Sequence, residues 1–294
     1  MKRRIALKQM AIGTGGVVSI AHTACANEPS PEKKQAVESK LKGNVNHSVC
    51  RWCYGRMPLE SLIEHSKDIG IQSIEITKPS EWEVLVKHGL TSAMGTADFI
   101  SLTDGMNNPK NHESLRAPYF QLIEKAADLG IKKIICFSGN RNGLDDEQGI
   151  ENCAIGLEPI VKHAEKYDIT VAMELLNSKV DHKDYQCDTT PWGVRLVDKI
   201  GASNFKLLYD IYHMQVMEGD VIATIKKYQD YICHYHTGGV PGRNELDETQ
   251  ELYYPAIIKA IVDTGYEGYL GQEFIPTWED PMKALRHGVT TCDV

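Results

Sequence analysis

The chain has 294 residues, of which 42% are hydrophobic and 24% charged, so it can bury a sizeable core and is neither disordered nor fibrous. Its net charge is −8, and the first 26 residues carry four basic side chains and no acidic one. Without those four charges the remainder carries −12, which argues against general binding to nucleic-acid phosphates. We therefore expect no nucleic-acid partner.

Residues 1–26 have the features of an export signal. The pair Arg3-Arg4 opens a segment similar to a twin-arginine signal, and the apolar stretch from Met10 to Ala21 is too short and glycine-rich to span a bilayer. Ala24-Cys25-Ala26 offers small residues for cleavage. We predict an exported, periplasmic protein without a membrane span. A lipid anchor on Cys25 and an uncleaved start stay open as alternatives.

Residues 27–42 are polar and are interpreted as a linker, and residues 43–294 as one folded domain. Strands are predicted over 45–52, 74–76, 90–95, 131–137, 169–175, 205–209, 231–236 and 269–274. Helices are predicted over 58–70, 80–89, 147–167, 190–200, 220–228, 254–264 and 280–288. One further helix is predicted to begin after the loop that ends at residue 109 and to run to residue 130. Eight strands alternating with eight helices predict an α/β protein, a (β/α)8 TIM barrel.

The cysteines give a weak signal. Cys50 and Cys53 form a lone C-x-x-C without a second pair, which does not support a structural zinc site. The remaining cysteines are scattered along the predicted elements, so we interpret them as core thiols. A disulfide between Cys50 and Cys53 stays open, because an exported protein would meet an oxidising compartment.

Four consecutive predicted strands each end with one residue that can bind a metal ion, namely Glu174, Asp210, His236 and Glu273. They are separated by 36, 26 and 37 residues, close to one strand–helix unit each. In a TIM barrel the chemistry lies at this end of the strands. Three oxygen ligands and one nitrogen favour Mg²⁺ or Mn²⁺ over a structural zinc. For Asp210 alone, the alternative is that it caps the following turn.

Five motifs surround these residues: Glu174-Leu175-Leu176-Asn177, Tyr209-Asp210-Ile211-Tyr212-His213-Met214-Gln215 with Met217-Glu218-Gly219-Asp220, Val240-Pro241-Gly242-Arg243, Glu251-Leu252-Tyr253-Tyr254-Pro255, and Gln272-Glu273. On these motifs, from about residue 43 to 288, the sequence resembles the xylose-isomerase-like barrel superfamily and, within it, hydroxypyruvate isomerases. The resemblance implies that the four strand-end residues bind one divalent metal ion and that two of them, Glu174 and Glu273, also move protons. Co²⁺ and Zn²⁺ remain alternatives to Mn²⁺ and Mg²⁺.

The resemblance implies a small-molecule substrate and the interconversion of hydroxypyruvate and tartronate semialdehyde, or of a close hydroxy-keto acid, through an enediolate. A keto-sugar epimerase or isomerase is the first alternative, because hydroxypyruvate isomerases often carry glutamine where His236 stands, whereas sugar epimerases of the superfamily carry histidine. A non-catalytic, exported sugar-binding barrel is a second. A DNA-repair endonuclease of the same superfamily is disfavoured by the acidic charge. A homo-oligomer is left open.

Five further residues are candidates for binding substrate: His213, Arg243, Arg51, His47 and Asn177. For Arg51 the alternative is an ion pair with Glu75, and for His213 it is a hydrogen bond to Asp210. Trp52, Trp192 and Trp278 are candidate walls of a sugar site, although packing is an equally simple role. Lys78 is a further candidate for the lining.

Overall fold

The computed structural model describes residues 40–294. The predicted export signal, the anchor at Cys25 and most of the predicted linker lie outside this range, so these expectations stay predictions. Within the described residues, no helix is both long and apolar enough to cross a membrane.

Seven parallel strands form one sheet in the order β2-β1-β7-β6-β5-β4-β3. Parallel neighbours require a helical crossover after each strand, which gives the repeating strand–helix rhythm of the sequence. The strands are β1 Asn46–Cys50, β2 Ser73–Glu75, β3 Lys133–Cys136, β4 Thr170–Glu174, β5 Phe205–Asp210, β6 Ile232–Thr237 and β7 Tyr269–Gln272. This architecture confirms the predicted α/β TIM barrel.

The strand predicted over 90–95 is not a regular strand, which corrects the count of eight. The segment instead fills the gap between β2 and β3 through isolated parallel bridges, from Thr91 to Ser73 and from Gly95 to both Thr77 and Ile134. Gly95 lies so close to its neighbours that an added Cβ would be 2.7 Å from Trp82 Cζ2. The ring of Trp82 is held there because its Nε1 donates to the Thr77 carbonyl over 3.0 Å.

Residues 40–294 contain nine α-helices, most of them between the strands. They are α1 Leu59–Ile69, α2 Pro79–Lys87, α3 Pro109–Asp128, α4 Asp146–Glu165, α5 Thr190–Ile200, α6 Ile211–Met217, α7 Val221–Tyr228, α8 Tyr254–Val262 and α9 Pro281–Cys292. Short 3₁₀ helices span Arg51–Tyr54 and Gln229–Tyr231. Helix α6 is the addition to the prediction. It begins directly after β5, because the Asp210 carboxylate accepts the backbone N–H of His213 over 3.1 Å and caps the helix.

The alternation of side chains along β1 separates the helix-facing side from the barrel interior. Val49 packs in one apolar cluster with residues of α1 and α9, namely Leu62, Ile63, Leu285 and Val289. Its neighbours Ser48 and Cys50 point the other way, toward Ser73 and Glu75 of β2. The interior therefore carries polar groups at the end where the strands terminate, while the helices bury the opposite faces.

Replacing Gly95 with alanine tests how closely this segment packs against Trp82 and Ile134. The new Cβ would lie 2.7 Å from Trp82 Cζ2 and 2.9 Å from Ile134 Cδ1, so we expect Gly95→Ala to lower the free energy of unfolding. Overpacking of this kind costs about 1–3 kcal/mol, measurable by urea unfolding. In a Trp82→Leu background the same change should cost less, because the overlap is relieved. Equal costs in the two backgrounds would contradict this explanation.

Candidate metal centre and active site

Four side chains meet at the carboxyl ends of neighbouring strands. Glu174 and Asp210 are the last residues of β4 and β5, His236 lies near the end of β6, and Glu273 follows β7. One ligand atom from each lies within 4.8 Å of the other three, and all four residues are buried. The barrel thus brings together the four residues that were singled out from their spacing.

The ring of His236 is held in one orientation. Its Nε2 lies 2.6 Å from Glu75 Oε1, and its Nδ1 lies 2.9 Å from Glu273 Oε2 and 3.4 Å from Glu174 Oε1. Neither Nδ1 nor Glu174 Oε1 has a well-directed hydrogen bond within residues 40–294, although both atoms are buried. Unsatisfied buried acceptors are costly, and a cation between them would satisfy both.

This donor set fits a divalent ion. Carboxylate oxygens and one imidazole nitrogen suit Mg²⁺, Mn²⁺ or zinc, and the hydrogen bond from Nε2 leaves the Nδ1 lone pair of His236 available for coordination. Glu174, Asp210, His236 and Glu273 would hold the ion. The residues determine the candidate site but not the identity of the metal.

Arg243 supplies positive charge to the same cluster. Its Nη2 lies 3.2 Å from Asp210 Oδ2 and 2.5 Å from Glu273 Oε2. The guanidinium carbon lies 5.1 Å from the ring centre of Trp52 and 5.5 Å from that of Tyr212, which places it between two aromatic rings. The Arg243 side chain also lines a cavity beside the four candidate ligands.

Burial and neighbouring charges drive the pKa values of the carboxylates apart. Burial, together with the charge of Glu273, raises the pKa of Glu174. Burial alone would raise the pKa of Glu273, but His236 and Arg243 hold it well below its usual value. Burial raises the pKa of Asp210 to about 8 in spite of Arg243. Environments that separate two carboxyl groups in this way are typical of acid–base pairs.

The cavity beside this cluster has a volume of about 380 Å³. Its polar lining residues are Glu174, Glu273, Arg243, Trp52, His182 and Thr96. The other lining residues are apolar, namely Ile76, Ile100, Leu102, Ile135, Phe137 and Leu176. A ligand in this cavity would meet two carboxylates, one guanidinium and hydrocarbon side chains.

His213 and Asn177 lie next to each other at this site. Asn177 Nδ2 donates to His213 Nδ1 over 2.7 Å, and this bond fixes the ring. The Nε2 atom of His213 is 3.6 Å from Asp210 Oδ2 and has no hydrogen bond within the described part of the chain. Only the backbone N–H of His213 is bonded to Asp210, so Nε2 is available to a substrate oxygen.

Arg51 and His47 are not brought to the site. The 3₁₀ helix that begins at Arg51 turns this side chain away, and its guanidinium binds Glu81 and the carbonyl oxygens of Tyr54 and Met57. The alternative pairing with Glu75 is also absent from these contacts. His47 shares the helix-facing side of β1 with Val49, where burial lowers its pKa to about 4 against the opposing charge of Asp293.

The three tryptophans have different surroundings. Trp52 lines the cavity, and its Nε1 donates to Glu273 Oε1 over 2.7 Å, so it contacts a candidate catalytic group directly. Trp192 is buried in helix α5 and packs in the core, whereas Trp278 is 37% exposed and lies in a neighbouring hollow. Lys78 forms an ion pair with Asp98.

Two residues of the candidate site were not predicted from the sequence. Glu75 is buried beneath His236 and accepts hydrogen bonds from both His234 and His236. Its position at the end of a strand was a signal of the same kind as that of Glu174. His182 lines the cavity from the loop after β4, where no periodic pattern marks it. The seven cysteines from Cys50 to Cys292 are free thiols.

One family model and one curated relative match most of this chain. A family model described as "Xylose isomerase-like TIM barrel" matches residues 63–290. Hydroxypyruvate isomerase of Escherichia coli (strain K12) is 28% identical over 249 residues, which cover 78% of this chain and 96% of the relative.

Solved structures show the same fold. The crystal structure of an AP endonuclease, family 2, from Brucella melitensis superposes with a TM-score of 0.74 at 22% identity and covers 82% of this chain and 97% of its own. A structure of L-ribulose 3-epimerase superposes with a TM-score of 0.71 at 17% identity, covering 84% and 92% respectively.

The candidate centre predicts one bound divalent ion per chain. We expect the purified protein to bind Mn²⁺ with 1:1 stoichiometry in titration calorimetry. Glu273→Gln should weaken binding by more than about 100-fold, because loss of an outer partner alone costs about 10- to 100-fold. Glu245→Gln is the control, since Glu245 is a buried carboxylate bonded to Thr277 and Trp278 outside the cluster. Absence of a bound ion from the wild type and the control would disprove the centre.

The raised pKa of Asp210 predicts how metal affinity depends on pH. At pH 7 this carboxyl is mostly protonated because its pKa is about 8, so binding an ion must displace a proton. The Mn²⁺ affinity should therefore rise with pH, by up to tenfold per unit, and level off above about pH 8. Calorimetry from pH 6 to 9 in two buffers would measure both the affinity and the proton release. A constant affinity between pH 6 and 8 would contradict this assignment.

Proposed function

The chain belongs to the xylose isomerase-like TIM barrel family, and on this premise we propose that it is a divalent-metal-dependent isomerase of small hydroxy-keto compounds. The first proposed reaction is the interconversion of hydroxypyruvate and tartronate semialdehyde, or of a close hydroxy-keto acid. The match to a hydroxypyruvate isomerase over nearly its full length supports this choice. The observation that carries the proposal is a pair of buried glutamates beside a candidate metal centre, with pKa values driven in opposite directions.

The reaction class follows from the acidity of the substrate. A proton on the carbon next to a carbonyl is too weakly acidic for a carboxylate to remove unless the negative charge that develops on the oxygen is stabilised. A bound divalent ion would supply several kcal/mol of that stabilisation. Removing the base from such a reaction typically slows it by about 10²- to 10⁴-fold.

Glu273 is the base of the pair in this proposal. Its pKa is low, so its carboxylate is ionised, and the Trp52 indole N–H and the Arg243 guanidinium hold it in position. In the proposed reaction Glu273 removes a proton from the hydroxyl-bearing carbon and returns it to the former carbonyl carbon. The intermediate is an enediolate, and no other atom enters or leaves.

Glu174 has the complementary role. Its raised pKa suits it to move a proton between the two substrate oxygens. Glu174 takes the proton of the hydroxyl and gives it to the former carbonyl oxygen, and so ends in its starting state. His213 Nε2 and Arg243 are placed to hold the substrate oxygens on the side of Asp210. Asn177 acts through His213, because it fixes the ring from the other nitrogen.

A keto-sugar epimerase is the second candidate, and three observations favour it. A three-carbon acid would fill only part of the cavity of about 380 Å³. Arg51, the expected second partner of a substrate carboxylate, is bound to Glu81 instead. The nitrogen ligand is His236, the residue that the resemblance assigns to sugar epimerases. In this reaction the two glutamates would act on opposite faces of one carbon.

Deuterium exchange separates the two candidates. Purified protein with Mn²⁺ in D₂O should give tartronate semialdehyde, with deuterium at its C2 and at C3 of hydroxypyruvate, because the proton held by Glu273 can exchange with solvent. Both positions are followed by ¹H NMR after the ion is removed. A panel of keto sugars is incubated in parallel, with Glu273→Gln as the inactive control. Exchange into a keto sugar but not hydroxypyruvate would select the epimerase, and exchange into neither, with the ion bound, would overturn both.

A further inference from the structure

A second buried carboxylate lies one layer beneath the candidate ligands. Glu75 ends β2 and has no solvent exposure. Its Oε1 atom is 2.7 Å from His234 Nε2 and 2.6 Å from His236 Nε2. Both histidines project from the same face of β6, with ring centres 5.2 Å apart. One carboxylate oxygen thus accepts from two imidazoles.

These contacts determine which nitrogen of His236 carries its proton. Glu75 accepts at Nε2, so a proton lies there, and Nδ1 is the nitrogen whose lone pair would bind the ion. Nδ1 is the atom that faces Glu174 and Glu273. In the opposite tautomer an N–H would point at the position of the ion, and Nε2 would face the Glu75 carboxylate without a proton to share.

We propose that Glu75 is a positioning residue, which together with His234 fixes the ring and tautomer of His236 for metal binding. This inference rests on the proposed metal centre. Glu75 itself contacts none of the three carboxylate ligands through a hydrogen bond, and so it acts through His236. His234 contributes the second donor, which prevents the Glu75 carboxylate from turning away.

The neighbouring strand is shaped around this arrangement. Gly271 of β7 pairs in register with His236, and a Cβ at this glycine would lie 2.4 Å from Glu75 Oε1 and 2.7 Å from His236 Cδ2. Any side chain there would displace the two partners that the hydrogen bond joins. On the adjacent strand β1, Cys50 Sγ lies 3.7 Å from His236 Nε2 and 3.8 Å from Glu75 Oε1. Strands β7 and β1 therefore both pack against this contact.

The test combines metal affinity with a direct readout of the proton. Calorimetry should show Mn²⁺ binding weakened about 10- to 100-fold in Glu75→Ala, the usual cost of losing the partner of a ligating histidine. Glu75→Gln keeps the shape of the side chain and removes the charge, so it should also bind Mn²⁺ more weakly. This variant provides the test if Glu75→Ala folds poorly. Gly271→Ala should lower affinity in the same direction. Ser48→Ala is the matched control, because Ser48 is buried in the same interior and bonds only to Ser73.

Nitrogen-15 spectra of the imidazole rings show where the proton lies. In the wild type, both free and Mg²⁺-loaded, His236 should carry a proton on Nε2, and Glu75→Ala should lose this preference. A proton on Nδ1 alone, or wild-type Mn²⁺ affinity in folded Glu75→Ala and Glu75→Gln, would overturn the proposal. If the wild type bound no ion, the metal-dependent function would fail instead, and the spectra of the free protein would still test the role of Glu75.

Discussion

The crowding of buried carboxylates at one end of the barrel is the constraint on which the site depends. Glu174, Asp210 and Glu273 bring three buried acidic groups within 4.8 Å of one another. Such a cluster is stable only when cations compensate it or protons neutralise it. Arg243 supplies one positive charge, and burial still raises the pKa of Asp210 and Glu174. A divalent ion would bring the sum of these charges to zero.

The need to compensate these buried negative charges explains the position of the aromatic and imidazole groups. Trp52 and Tyr212 enclose the Arg243 guanidinium, which limits its access to water and strengthens its attraction to the carboxylates. Glu75 adds a further negative charge below His236 and increases the basicity of this ligand. The centre is thus built from charged groups that each have a partner from another strand or loop.

Much of the fold and the grouping of the four candidate ligands could be predicted from periodicity. Parallel strands that each end in a polar residue at similar spacing must present those residues at one edge, which is why Glu174, Asp210, His236 and Glu273 were found together. Asp210 makes two different contacts, since it caps α6 through one oxygen and faces Arg243 with the other. The family model agrees with this prediction of the fold.

Contacts between distant segments decided the rest. The alternation along β1 was visible in the sequence, but its direction was not, so His47 was assigned to the wrong side of the strand, and Arg51 lies in the 3₁₀ helix that follows it. At Gly95 the ring of Trp82 occupies the space of a side chain, and that neighbour is known only once the barrel closes.

By itself, the sequence determined the order of the strands and helices and the residues at the strand ends, because those depend on local periodicity. The tertiary structure alone decided that Glu75 pairs with His234 and His236, and that Arg243 lies between two carboxylates. Each of these contacts joins strands and loops far apart in the chain. Their energies depend on burial and on distances of a few ångströms, which exist only in the closed barrel.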